Sequence, residues 1–183
     1  STYTIILGRS NNPTVEVNME LAKQQQIEIL KRTSGGGTVL LGPGCLCYTL
    51  FIPIRFSPEF SSLSTTNDTI MTCHRDAFID DMPNIQFNGY TDLSLGDKKF
   101  SGNAQRRKKH MILFHGTFLY DFSINKIADV LHHPSKEPIY RQQRSHHDFI
   151  TNISLSSLRI QQLIKGCWRI ENSFYFNTTD QVV

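Results

Sequence analysis

Three consecutive glycines, Gly35, Gly36 and Gly37, stand between strand signals at 27–31 and 38–41, so the chain turns at a point where it carries no Cβ. Lys31, Arg32, Thr33 and Ser34 lead into them, and Thr38, Val39 and Leu40 follow. Glycine accepts φ > 0 and lets a ligand approach the backbone closely. Successive N–H groups in such a turn form an anion-binding nest, and the planar guanidinium of Arg32 suits phosphate or carboxylate. The bland reading is a flexible turn. What lies downstream decides between the two.

Downstream runs Asp92, Leu93, Ser94, Leu95, Gly96, Asp97, Lys98, Lys99, Phe100, Ser101, Gly102, Asn103, Ala104 and Gln105. Gly96 and Asp97 make a two-residue turn, which predicts a tight hairpin. Its register sets Leu95 opposite Lys98, Ser94 opposite Lys99, Leu93 opposite Phe100 and Asp92 opposite Ser101. Alternation then places Leu93 and Phe100 on one face, and Asp92, Ser94, Lys99 and Ser101 on the other. A lysine among hydroxyls and one carboxylate is a candidate polar site. A solvated outer face of an amphipathic hairpin is the competing reading.

With Gly8, Arg9, Ser10 and Asn11 before the glycine loop, and His115, Gly116, Thr117, Thr151 and Asn152 after the hairpin, the order of these motifs resembles the catalytic domain of lipoate–protein ligases. That domain shares a superfamily with biotin–protein ligases and octanoyltransferases. The likeness is collinear and covers about residues 3 to 155. Its specific parts are the arginine followed by Ser34 and the glycines, and Lys99 followed by Ser101, Gly102 and Ala104.

A chain of 183 residues predicts a single catalytic domain over 1–183. It opens on Ser1 with a strand signal already at 3–7, which predicts missing N-terminal residues. It stops at Val183, so the expectation is a catalytic domain with no small C-terminal accessory domain of the kind that many lipoate ligases carry. A net charge of +3 does not argue for nucleic acid, and no apolar run approaches the ~20 residues that span a bilayer. The four cysteines show no metal spacing; Cys45 and Cys47 are expected on opposite faces of their strand, and Cys73 and Cys167 stand apart. Reduced thiols in a cytoplasmic setting are the expectation.

Further strand signals occur at 47–52, 84–87, 91–95, 98–104 and 111–119, and helical signals near 16–25, 66–80, 123–131 and 155–165. Ser123 reads as an N-cap, and residues 53–65 and 132–150 read as loops. Tight turns between strands, with helices set apart, favour an α+β domain built on a mixed, largely antiparallel sheet with flanking helices. The resemblance implies the same biotin/lipoate ligase-like fold. The His132, His133 and His146, His147 pairs lack a completing carboxylate or histidine cluster, so no protein metal site is identified. The basic run from Arg106 to His110 lacks the interleaved aromatics of a nucleic-acid surface and suits a solvated loop or an acidic protein partner.

The resemblance implies chemistry. Lipoate attacks the α-phosphate of ATP, with magnesium at the pyrophosphate, and lipoyl-AMP forms. A lysine of an acceptor lipoyl domain, in a 2-oxo acid dehydrogenase E2 subunit or the glycine cleavage H protein, then takes the acyl group. No tightly bound cofactor is implied, and neither is nucleic acid or a membrane. Lys99 is the expected catalytic cation. Arg32, Gly35, Gly36, Gly37, Thr38, Val39, Leu40 and Lys99 are expected to hold ATP and the adenylate. Ser34, Tyr48, Asp92, Ser101, Gly102, His115, Gly116 and Thr117 are expected to form and orient the acyl pocket. Without an accessory domain, either a separate polypeptide completes adenylation or the chain transfers a preformed activated acyl group. The rivals are an octanoyl- or lipoyltransferase without adenylation, the octanoyltransferase working through a cysteine thioester, a non-catalytic acyl- or nucleotide-binding homologue, and biotin as substrate. No cysteine lies between Pro83 and Leu93, where one branch of the transferases keeps its nucleophile.

Overall fold

The computed structural model describes residues 2–172. Residue 1 and residues 173–183 of the expected single domain lie outside the described part. All eight strand signals form strands: β1 (Thr4–Leu7), β2 (Glu28–Lys31), β3 (Val39–Leu41), β4 (Cys45–Pro53), β5 (Ile85–Asn88), β6 (Asp92–Leu95), β7 (Lys98–Arg107) and β8 (Met111–Leu119). They divide into two sheets. A five-stranded antiparallel sheet has the order β4-β8-β7-β6-β5, and a three-stranded sheet has the order β2-β1-β3. Among the described strands only β1 and β2 pair with each other in parallel, because the crossover between them carries two short helices, α1 (Pro13–Glu16) and α2 (Met19–Gln24).

Helix α3 (Leu63–Phe78) starts earlier than the apolar stripe alone suggests, because Ser62 caps it by accepting from the Thr65 N–H. It buries Ile70, Met71, His74 and Phe78 against one face of the large sheet, where Phe78 stacks on Phe118 at 5.3 Å. Helix α6 (Ser157–Cys167) adds Ile160 and Ile164 to that core. A second core joins β1 and β3 to α4 (Ile124–Val130) through Ile5, Leu7, Leu40, Ile127 and Val130. Ser123 does precede α4, but its hydroxyl makes no capping bond. Within 132–150 the chain forms a 3-10 turn at Ile139–Arg141 and a short helix, α5 (His146–Phe149).

The other face of the large sheet turns toward the small sheet, and the space between them becomes the site. Along β8, Ile112, Phe114 and Phe118 are buried in the helix-side core, while His115 and Thr117 alternate to the opposite face. The same alternation corrects the expectation for Cys45 and Cys47. Residues two apart on a strand share a face, and these two pair with Leu119 and Thr117 and hydrogen-bond to each other. Cys73 and Cys167 are also brought together, between α3 and α6, where the Cys73 thiol donates to the Cys167 carbonyl at 3.5 Å.

His74 is fully enclosed beneath the sheet. The Trp168 indole donates to its Nε2 at 2.9 Å, and burial pushes its pKa down to about 3. The folded protein therefore refuses a proton that the unfolded chain accepts near pH 6.5. Stability is complete above that pH and falls as the pH drops toward 3, by up to ~1.4 kcal/mol per pH unit. Thermal unfolding between pH 7 and 4 should show this slope, and His74→Gln should flatten it.

Candidate functional site

The glycine loop is tied down by the arginine that precedes it. Arg32 donates from Nη2 to the Gly35 carbonyl at 2.8 Å and to the Gly37 carbonyl at 2.7 Å, and from Nη1 to the Ile6 carbonyl at 3.2 Å. With the loop carbonyls turned to Arg32, no backbone group among the described residues accepts from the N–H of Gly35, Gly36, Gly37 or Thr38. Of the three glycines only Gly36 needs its freedom, at φ +89°, where a Cβ would stand 2.9 Å from Arg32 Nη2. Arg32 thus builds the cradle as well as charging it. Arg106, from the basic run, supports the same loop by donating to the Thr33 carbonyl at 2.7 Å. Arg107 instead donates to the Phe60 carbonyl at 2.7 Å, which leaves Lys108, Lys109 and His110 as the exposed part of the run.

Opposite the loop, Lys99 Nζ lies 2.7 Å from Asp92 Oδ1, and the Tyr140 hydroxyl donates to Asp92 Oδ2 at 2.8 Å. The carboxylate is nearly buried and accepts from both sides, so it fixes the ammonium in place. The hairpin register holds only near its turn. Leu95 faces Lys98 and Ser94 faces Lys99, but a β-bulge then shifts the pairing, so Leu93 faces Ser101 and Asp92 faces Gly102. Gly102 accommodates the shifted pairing. A Cβ at Gly102 would stand 2.7 Å from Lys99 Cε, so the residue opposite Asp92 has to lack one for the ammonium to lie across it.

The bulge removes Ser101 from the expected polar face. Ser101 is buried on the helix side, accepting from Asn103 Nδ2 at 3.2 Å. Tyr48 also falls on that side, donating to Asn103 Oδ1 at 2.6 Å beside His74, and it lines neither cavity described below. Gly116, paired with Tyr48, has room for no side chain, because a Cβ would meet Asn103. Ser34 is buried behind the loop with its hydroxyl 2.6 Å from His115 Nε2. Burial and then the nearby Arg32 charge lower the His115 pKa, which keeps that imidazole neutral.

Two connected cavities meet at Lys99. An open groove is lined by Asn11, Arg32, Gly36, Ala104, His115 and Tyr90 among others. A more enclosed, apolar cavity is lined by Leu40, Phe100, Leu119, Ile127, Leu131 and Phe149. Lys99, Gly102, Thr38, Thr117, Glu16 and Arg141 border both. Two buried oxygens there, Asn11 Oδ1 and Thr38 Oγ1, have no hydrogen-bond partner among the described residues. Glu16, Tyr140, Arg141 and Phe149 were not legible as site residues. They come from α1 and from the segment 132–150, and no local motif announces that this segment folds back over the hairpin.

The profile of the lipoyl protein ligase A/B catalytic domain fits residues 1–167. The chain belongs to this family. A probable lipoate-protein ligase A of Mycoplasma pneumoniae is 30% identical over 128 residues, covering 70% of this chain and 37% of its own length. An inactive lipoate–protein ligase 2 of Plasmodium falciparum is 26% identical, covering 97% of this chain and 56% of its own. This domain therefore spans about a third to a half of those relatives. The fold is that of a bipartite lipoate protein ligase from Thermoplasma acidophilum, studied with its E2 lipoyl domain, at a TM-score of 0.76 and 17% identity over 91% of this chain and 66% of that one. It is also that of a lipoate-protein ligase A bound with ATP, at a TM-score of 0.70 and 20% identity over 91% of this chain and 67% of that one.

Proposed function

We propose that this domain activates lipoate with ATP and transfers the lipoyl group to a lysine of an acceptor lipoyl domain. The observation that carries the reading is the position of Lys99. Its ammonium, held by Asp92, stands where the apolar cavity opens into the groove beneath the glycine loop. An apolar acyl chain in the cavity brings its carboxylate to the junction beside Lys99, and a nucleotide in the groove meets the unspent N–H groups of Gly35 to Thr38. In the first step a lipoate oxygen bonds to the α-phosphorus and the bond to pyrophosphate breaks. In the second the acceptor amine bonds to the acyl carbon, AMP leaves, and the amine loses a proton. Negative charge builds at the same place in both steps, and a fixed ammonium there stabilises both transition states.

Magnesium belongs to the nucleotide substrate in this scheme, and no group of three metal-binding side chains occurs among the described residues. The E2 subunit of a 2-oxo acid dehydrogenase, or the glycine cleavage H protein, supplies the acceptor, and a separate polypeptide can assist adenylation. No helix among the described residues is long and apolar enough to cross a membrane. Lipoate-dependent exchange of pyrophosphate into ATP tests the first step. Exchange that requires lipoate supports the ligase, and transfer from supplied lipoyl-AMP without exchange would reduce the activity to the second step.

The thioester route needs a thiol at the acyl carbon, and no cysteine lines either cavity. Cys73 and Cys167 lie on the helix side, and Cys47 is exposed on the edge strand β4. A hydrogen bond from Cys45 holds the Cys47 thiol at about 7, so it is the most reactive of the four. Limited alkylation should therefore label Cys47 first and leave lipoyl transfer within about twofold of the untreated rate. Replacing all four cysteines should also preserve transfer. An acylated cysteine on the working protein would favour the transferase.

A further inference from the structure

Arg141 is the one guanidinium enclosed at the junction of the two cavities, with 4% of its surface exposed. Burying a guanidinium is costly unless its N–H groups are engaged. Its Nε donates to the Arg144 carbonyl at 3.0 Å and lies 3.5 Å from Glu137 Oε2, and its Nη2 approaches His146 Nδ1 at 3.5 Å. His146 Nε2 faces the His132 carbonyl at 3.1 Å and so carries the proton, which makes Nδ1 an acceptor. Nη1 has no partner among the described residues.

The surroundings fix where that group sits. The guanidinium carbon lies 4.8 Å from the centre of the Phe149 ring, a wall of the apolar cavity. Arg144 anchors the segment to the β6–β7 turn through Asp97 Oδ2 at 2.6 Å, and Tyr140 anchors it to Asp92. Of the other charges at the junction, Lys99 is matched by Asp92, and Glu16 accepts from the Ser135 N–H and hydroxyl. Arg141 is the guanidinium there with a nitrogen left unengaged, and it stands beside a Lys99 ammonium that keeps N–H groups beyond its bond to Asp92.

We propose that Arg141 is the carboxylate-recognising residue of this domain: its free Nη1 receives the acid group of a lipoate-type substrate whose chain occupies the apolar cavity, before that group is activated. This rests on the acyl-activation reading above and makes the site selective for a free acid over a neutral acyl compound. The planar fork gives directed bonds to carboxylate oxygens that the point charge of Lys99 does not. Lys99 is then left to follow the charge as it moves to the phosphoryl group and the tetrahedral oxygen.

Calorimetric titration of lipoate and of neutral lipoamide, without ATP, tests the assignment. The parent should bind lipoate at least about tenfold more tightly than lipoamide. Arg141→Gln should lose about 10- to 100-fold in lipoate affinity, with lipoamide changed by less than about threefold, and Arg141→Lys should recover part of the loss. Equal losses for acid and amide would mean a packing role and overturn the proposal, as would unchanged lipoate affinity. Should Arg141→Gln fail to fold, Lys99→Ala decides with Arg141 intact. It should still prefer acid over amide, and loss of the preference would assign the carboxylate to Lys99. Pyrophosphate exchange separates the two readings. Normal exchange with unchanged affinity in Arg141→Gln removes this proposal alone, whereas an acid preference that depends on Arg141 without any exchange removes the ligase.

Discussion

Lys99→Ala is expected to lower lipoyl transfer by at least ~10²-fold while the folded domain persists, because its ammonium serves the reaction and not the core. The side chain lies across Gly102 to Asp92 and is partly open to the groove, so its removal leaves no apolar void. What it does leave is a nearly buried Asp92 with the Tyr140 hydroxyl as its remaining partner, which should lower the melting temperature, at a cost of about 1–3 kcal/mol, without unfolding the domain. Lys98→Ala is the internal control. Lys98 faces Leu95 on the opposite side of the strand and is exposed, so transfer should stay within about twofold. Steady-state transfer rates alongside thermal melts separate the outcomes. Equal damage from the two substitutions would contradict the register, and near-normal turnover in Lys99→Ala would remove the central cation.

Gly36→Val should suppress nucleotide binding by about 10- to 100-fold with little change in melting temperature. A β-branched residue resists φ +89°, and the new Cβ would displace the Arg32 nitrogen that ties the Gly35 and Gly37 carbonyls. The loop N–H groups then lose their common orientation. Because the strain is confined to a surface loop, the two cores are spared. Arg32→Ala should produce a similar defect and not a milder one, since the guanidinium shapes the loop. Titration of a non-hydrolysable adenylate analogue checks both. Parent-like affinity in a folded Gly36→Val protein would mean that the three glycines serve only as a turn.

The strands were legible because each is short, apolar or alternating, and closed by a turn signal. The glycine loop and the lysine hairpin were legible because their chemistry is local: a backbone without Cβ atoms, and a two-residue turn that sets a register. The bulge was not. It is accommodated by the packing of the Lys99 side chain across Gly102, a contact of the folded hairpin that no local motif announces. The slip carried Ser101 to the wrong face in the expected scheme, and Tyr48 was misplaced because nothing local says which face of β4 meets the ligand. The cysteine pair was misjudged through the period of the strand itself, since Cys45 and Cys47 share a face. Arg141 and Tyr140 were invisible for another reason. Their segment reads as an ordinary polar loop, and its role arises from contacts with Asp92 and Asp97, distant in sequence. The role of Arg32 fell between these cases, with its charge plain in the sequence and its bonds to the loop carbonyls plain only in the fold.

The most direct measurement is a mass spectrum of an acceptor lipoyl domain after incubation with the purified protein, ATP, magnesium and lipoate, with octanoate and biotin in parallel reactions. Lipoate ligation centred on Lys99 predicts that the acceptor gains one lipoyl mass on its target lysine, that the gain requires ATP, and that it vanishes with Lys99→Ala. An acceptor left unmodified while supplied lipoyl-AMP also fails to react, or an acyl mass found on a cysteine of this protein, would contradict it.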